Sequence, residues 1–389
     1  MQTAIGHSEN PHATQALEEI IGQCRLELGG CTPAFGIFFT SRMEMDFSSA
    51  LGRIQDEWPD MQLVGCTTDG EISDCLPCTV DSLGLMVVYS ERLRFSIGMG
   101  EGLSREPERA VRQALAEAAQ GANGQPQLGI AFCDALETTG VDFQDLLNTV
   151  IGLDFPLFGG KAGDNYRLVK TFQFCGRRVA SDAFVVALVS GPVSFTSGFG
   201  TGHTMLGRPF SVTGSKGNVL YEVEGMPALD FFEKYLGRNT KEYHQFPLAV
   251  LLGDSDTDDF ILRDLMYVNH DEKSLLFCNT FPRNPRIRLT QFTNSGLIAA
   301  AAHTTSEALS RYEGNCPDLA LLCPCTSRRH ILGNQAREEH DKLLEFRAEN
   351  PEMRIFGMYA YGEIGPLRTG REILFHDATY ALLLLGERT

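Results

Sequence analysis

The chain has 389 residues, a formal net charge of −17, and 43% hydrophobic against 21% charged residues. That length suggests two or three domains with ample core-forming material. The acidic balance argues against a protein that tracks nucleic-acid phosphates or binds an anionic membrane, and is read as a solubility device.

The opening segment "MQTAIGHSENPHATQ" lacks the basic head and apolar stretch of a secretion signal. No apolar run reaches the roughly 18 residues that a membrane span needs. The expected location is the cytoplasm, where the eleven cysteines serve mostly as small buried hydrophobes. Residues 1–30 read as an N-terminal extension, with His7 and His12 in a loose segment.

A first unit follows. "AFGIFFTS" is strand-like, and "DFSSALGRIQDEW" sets Phe47, Leu51, Ile54 and Trp58 at helical spacing. "MQLVGC" then leads into the phrase "GCTTDGEISD" at 65–74, and "SLGLMVVYS" and "LRFSIGMGEG" supply two more strands. A second, degenerate unit runs through "QLGIAFCDA", "DFQDLLNTVIG", "FPLFGGKAGDN", "DAFVVALVS" and "VSFTSGFGTG". A boundary is expected near residue 205, in the Gly-rich "GTGHTMLGR". Beyond it, "PFSVTGSKGNVLYEVEGMPALDFFEKYLG" reads as strand, turn, strand and a helix from near Pro227.

The third unit comprises "DLALLCPC", a helix with Glu339, Leu343 and Phe346 at helical steps, "MRIFGM", the phrase "YAYGEIGP", and "REILFHDATYALLLLGE". The expected fold is α/β: layered mixed sheets with packed helices, made from internally duplicated strand–helix–strand–turn–strand units. Region 31–205 holds two units, and region 206–389 holds one unit plus an insertion.

Gly65 and Gly357 each begin the same phrase: Gly, four residues, Gly-Glu-Ile. Glycines allow positive φ and close backbone approach. The turn is either pure architecture or a strand-end loop in which Gly70 and Glu71 border a pocket for a donor-rich ligand. Cys75 and Cys78 form a Cys-x-x-Cys pair, but no second pair completes a zinc set, so no tightly held zinc is expected. "DSDTDD" at 254–259 could hold Mg²⁺, although a solvated acidic loop is preferred without a phosphate-binding glycine loop. No Gly-x-Ser-x-Gly elbow or nucleophile–base pair stands out, and an enzyme of unrecognised type stays open as an alternative.

"LVGCTTDGEIS", "LFGGKAGDN", "GNVLYEVEGMPALDFFEKYLG", "CPCTSRRHILG" and "FGMYAYGEIGP" with "FHDAT" together resemble the FIST family of bacterial sensory-input proteins, over about residues 30 to 388. The resemblance implies small-ligand binding and signal input rather than catalysis. In the third unit, Arg328, Tyr361, Glu363 and His376 are expected to line one cavity, with Thr379 beside them. Arg328 would pair with a carboxylate and Glu363 with an ammonium, which suits an amino-acid-type metabolite.

One FIST subgroup consists of stand-alone haemoproteins that report nitric oxide to a partner histidine kinase. No appended kinase, cyclase or DNA-binding segment is recognised here, which agrees with a stand-alone sensor. Haem b would then need an axial ligand. Without a Cys-x-x-Cys-His motif covalent attachment is excluded, and of the nine histidines His203, at the junction, is the first candidate. The implied partner is a sensor histidine kinase or a cyclic-di-nucleotide enzyme.

Overall fold

The computed structural model describes residues 1–122, 124–136, 143–237, 243–252, 259–367 and 372–388. One strand–helix–strand–helix–strand order is written three times. The first unit contains β1 (Gln2–Ser8), α1 (Ala13–Leu28), β2 (Phe35–Thr40), α2 (Phe47–Glu57), β3 (Gln62–Thr67), β4 (Glu71–Ser73) and β5 (Leu83–Tyr89). The second contains β6 (Arg94–Glu101), α3 (Pro107–Gln120), β7 (Pro126–Cys133), α4 (Phe143–Ile151), β8 (Leu157–Lys161), the short hairpin β9 (Gln173–Cys175) and β10 (Arg178–Ala180), and β11 (Ala183–Ser190).

The third unit begins at β12 (Val193–Gly200) and is interrupted by an insertion. The insertion holds β13 (Thr204–Lys216), β14 (Val219–Val223), β15 (Met226–Pro227), α5 (Ala228–Leu236), β16 (Leu248–Leu251), β17 (Phe260–Arg263), β18 (Leu265–Asn269), β19 (Ser274–Phe277) and β20 (Arg286–Gln291). The unit then resumes with α6 (Asn294–Arg311), β21 (Leu319–Leu322), α7 (Thr326–Leu332), α8 (Ala336–Glu349), β22 (Arg354–Met358), β23 (Glu363–Gly365), β24 (Leu374–His376) and β25 (Tyr380–Glu387).

Each unit centres on a parallel pair joined through a helical crossover: β2 with β3, β7 with β8, and β21 with β22. The strands are apolar on both faces because both faces are covered. Inner faces from all three sheets share one core, where Phe39 meets Phe132 of the second sheet at 5.1 Å and Phe356 of the third at 5.3 Å. Outer faces pack on the helices, α1 and α2 on the first sheet and α3 and α4 on the second.

This phasing differs from the sequence reading in two places. Residues 1–30 are not an appendage: β1 pairs along its whole length with β5, and α1 packs on that sheet. His7 is accordingly buried, within 2.8 Å of the Ser73 and Thr79 hydroxyls. The last run assigned to each of the first two units instead opens the next one, since β6 pairs with β11 and β12 with β25.

The three sheets are completed by exchange. After its turn, each unit sends its next strand to the edge of a neighbouring sheet. β4 of the first unit pairs with β22 of the third, β9 of the second with β3 of the first, and β23 of the third with β8 of the second. The repeated phrase is therefore the crossing point of a closed three-way strand exchange.

Its first glycine is a steric requirement. A Cβ on Gly65 would lie 1.8 Å from the Phe38 carbonyl oxygen, and one on Gly159 or Gly357 would meet the equivalent Ala131 or Leu322 carbonyl at 1.8 and 2.4 Å. The second glycine needs a left-handed backbone, with φ +121° at Gly70 and +142° at Gly362.

The insertion builds its own sheet around β13 and its own core, including Phe210, Phe231, Phe232 and Phe277. Among the described residues no helix is long and apolar enough to cross a membrane.

Candidate functional site at the centre of the strand exchange

The three crossing turns meet and bond to one another. The Asp69 amide donates to the Tyr359 carbonyl (3.0 Å) and the Tyr359 amide to that of Gly70 (2.8 Å). The Tyr361 and Lys161 amides donate to the Lys161 and Gly362 carbonyls, and those of Gly163 and Asn165 to Thr67 and Thr68. These turns follow the C-terminal ends of parallel strands, the place where open α/β sheets leave crevices.

A cavity of about 420 Å³ opens there. The second unit contributes Ala135, Leu136, Tyr166 and Leu168. The third contributes Cys325, Thr326, Ser327, His330 and Ile331 from α7 and its N-cap, and Tyr361 and Asp377 from the strand ends. The insertion closes it with Gln245, Asp264, Leu265, Met266 and Cys278.

Two acids stand in its wall. The Asp264 amide donates to Asp377 Oδ2 at 3.2 Å, while Asp377 Oδ1 accepts from Asn279 Nδ2 at 2.6 Å. Asn279 Oδ1 in turn accepts from Lys161 Nζ at 2.6 Å. Asp264 Oδ1 has no hydrogen-bond partner among the described residues, and the residue is 8% exposed. Burial, and then the Asp377 charge, push the Asp264 carboxyl up to about 8. Burial also raises Asp377.

Opposite lies an aromatic end. Tyr166 sits with its ring 4.0 Å from that of His330, whose Nε2 is 3.3 Å from Asp69 Oδ2. Asn165, Tyr166 and Leu168 all have positive φ. Asp164 holds this segment by accepting the Leu168, Val169 and Lys170 amides, and the Tyr361 hydroxyl donates to Asp164 at 2.7 Å. Non-glycine residues held there cost free energy, and such strain gathers at ligand sites.

Of the residues expected to line one cavity, only Tyr361 does so. Arg328 is fully buried on α7, where it pairs with Glu339 and donates to the Thr201 and Leu297 carbonyls at 2.6 and 2.8 Å. Its fork is filled by the protein, leaving none for a ligand carboxylate. Glu363 accepts the Thr379 amide and hydroxyl inside the exchange, and burial pushes its carboxyl well up. His376 Nε2 donates to the Gly365 carbonyl (2.9 Å) and the ring stacks on Phe199; burial lowers it to about 4. Because its acceptor is a carbonyl, Nε2 is the donor. Glu71 accepts from Ser41, Thr68 and Ser82, and burial lifts it to about 7. Gly70 supplies the turn conformation. These residues form the frame of the exchange and stand behind the cavity wall.

His203 is 6% exposed, packs against Phe292, and is not part of the cavity wall. Both ring nitrogens lack partners among the described residues, and burial lowers the ring to about 4, so it is neutral. Protonation state and free nitrogens suit a haem axial ligand; access does not, because no face of the ring is open to a macrocycle. The residues as placed do not fit haem.

Among the described residues no group of three or more His, Cys, Asp or Glu side chains is arranged to hold a metal ion. Cys75 is exposed and Cys78 half-buried, with thiols that burial raises to about 11 and about 12. Most of "DSDTDD", 254–258, lies outside the described residues.

The sequence reading missed Asp264, Asp377 and His330. Asp377 lies in "FHDAT" and His330 in "CPCTSRRHILG", two motifs from which the sequence reading takes other members. Asp264 carried no signal, since it comes from the insertion and meets Asp377 only in the folded chain.

A family model described as the FIST N domain matches residues 34–226, and one described as the FIST C domain matches residues 228–366. Their seam falls inside the insertion, at β15 and the start of α5. A 227-residue stretch is 28% identical to an uncharacterized protein of Methanocaldococcus jannaschii, taking in 55% of this chain and 42% of that protein. The match thus spans about two fifths of that relative's length. The crystal structure of cyanuric acid hydrolase from A. caulinodans overlays 100% of this chain and 99% of its own at 10% identity, with a TM-score of 0.34, too low to carry an argument. With both of its regions matched in order along most of the described fold, the chain belongs to the FIST family.

Proposed function

We propose that the protein is a signal-input module in which a small ligand occupies the central cavity, alters how the inserted sheet packs on the three-unit ring, and so regulates a partner protein. FIST domains are sensory domains of signal transduction that bind small ligands, which supports this reading. The observation that carries it is the composition of the cavity wall: second unit, third unit and insertion all contribute to one space. A molecule held there touches all three, and in this reading it biases their packing by unequal affinity for two arrangements.

The partner in this reading is a sensor histidine kinase or a cyclic-di-nucleotide enzyme, and the chemistry lies in the partner. Burial keeps the cavity thiols of Cys278 and Cys325 protonated, far from a nucleophilic thiolate. A thermal-shift screen of small metabolites tests the site. Hits are expected to raise Tm in the wild type and to lose that effect in Ser327→Trp, which fills the cavity while circular dichroism confirms folding. Hits that stabilise the filled variant equally would place the ligand elsewhere.

Haem b with nitric oxide sensing is the second reading, favoured by the neutral, unpartnered His203 ring. It requires the segment around His203 to open. A Soret band at one equivalent of added haem, lost in His203→Ala, would support it; no band in the wild type removes it.

A further inference from the structure

We propose that the cavity is built for a net-cationic amine with an apolar body, and not for a zwitterion; this rests on the reading of the cavity as the ligand site. Asp264 brings to the wall a carboxylate that is more than nine-tenths buried, with one oxygen unpartnered among the described residues. Asp377 stands directly against it. An unpaired buried carboxylate is costly, and an ammonium or amidinium supplies both the charge and the donors it lacks.

The described lining contains no lysine or arginine. Among the described residues the cations near it are engaged elsewhere. Lys161 is held by Asn279, Arg263 donates to the Thr280, Leu262 and Phe375 carbonyls, and Arg329 is turned to the Asp69 carbonyl. His330, in the described lining, faces Asp69. An α-amino acid would therefore set its carboxylate beside two aspartates, with no guanidinium of the described lining to receive it. Leu136, Leu168, Leu265, Met266 and Ile331 wall the rest of the space, and the Tyr166 face is suited to a cation or an apolar chain.

Binding is coupled to a proton. The groups facing Asp264 are Asp377, the Cys278 and Cys325 thiols, Ser327 and Tyr166, with Glu363, Lys161 and Arg263 behind them. Their sum leaves Asp264 protonated at neutral pH, with its carboxyl at about 8. The arriving ammonium displaces that proton to solvent, so affinity rises as pH increases from 6 towards 8.

The test is calorimetric titration with benzylamine and n-hexylamine against benzyl alcohol, hexanoate, leucine and phenylalanine. Two non-amine buffers of different protonation heat report the proton. The amines are expected to bind most tightly and to release close to one proton at pH 7. Asp264→Asn should weaken them at least tenfold and abolish the release, leaving the alcohol unaffected. If Asp264→Asn does not fold, Asp377→Asn is read in its place: the amines are expected to weaken at least tenfold, and the proton release to shrink because Asp264 loses the neighbouring charge that helps it hold its proton. Tighter binding of the alcohol, acid or amino acids, lost in Ser327→Trp, would overturn the amine class while keeping the cavity as the ligand site. Binding by no compound of any class would overturn both.

Discussion

Glu71 and Glu363 occupy equivalent places in the repeated phrase, and both are buried acceptors of chain hydroxyls rather than ligand hands. Glu71 carries a pH signature. Its folded value, about 7, lies above the ordinary 4.5 because burial outweighs three hydroxyl donors. A raised folded value means the folded state holds the proton more tightly. The associated stability is complete below about pH 4.5 and is lost as pH rises through 7, a change of roughly 3 kcal/mol at 1.36 kcal/mol per unit. Glu71→Gln is therefore expected to flatten the fall in urea-unfolding free energy between pH 5 and 8; an unchanged slope would count against it.

Arg328 gives a second residue-level prediction. Removing one member of a buried ion pair costs about 3–5 kcal/mol. Arg328→Ala should lower the denaturation midpoint accordingly, and a loss of ligand affinity at unchanged stability would restore the ligand-binding role that the sequence suggested. That role follows from the family resemblance, and the structure sets Arg328 on α7. Glu339, 11 residues further on, takes the guanidinium because the turn between α7 and α8 brings α8 against it.

At the scale of elements, the sequence was most informative where periodicity and turn chemistry agree. The helical spacing of Phe47, Leu51 and Ile54 appears as α2, capped by the Asp46 side chain on the Ser49 amide. The helix near Pro227 appears as α5. What the sequence could not show was where the strand after each phrase goes. β4, β9 and β23 are three residues long, and each pairs with a strand of another unit, so no local pattern reports that pairing. The phasing error has the same origin, since β5 and β6 are adjacent in sequence but belong to different sheets.

The glycines of the phrase supply the test at this scale. Gly65→Ala puts a Cβ against the Phe38 carbonyl, backbone that cannot turn aside, so β3 must move off β2. A loss of about 3 kcal/mol is expected in chemical denaturation. A loss below about 1 kcal/mol would show that the close approach is not required.

For the whole molecule, strand exchange makes the three units interdependent. A fragment of residues 1–200 lacks β22, against which β4 pairs, and β23, which completes the second sheet. It is expected to show no cooperative unfolding transition alone, and to recover one when the remaining residues are co-expressed with it. Independent, fully cooperative folding of the fragment would contradict the interdependence.

The same exchange brings the crossing turns together, and the insertion covers the space they leave. That is why the site is assembled from residues more than 200 positions apart, such as Tyr166 and Asp377, and was largely invisible in sequence.

The central claim, that ligand occupies this covered space, is tested most directly by hydrogen exchange of the full chain with and without a ligand found by thermal shift. The account predicts slowed exchange confined to the Asp164-held segment 165–170, to 264–266 of the insertion and to 326–331 of α7. Protection elsewhere, with these three segments unchanged, would contradict it.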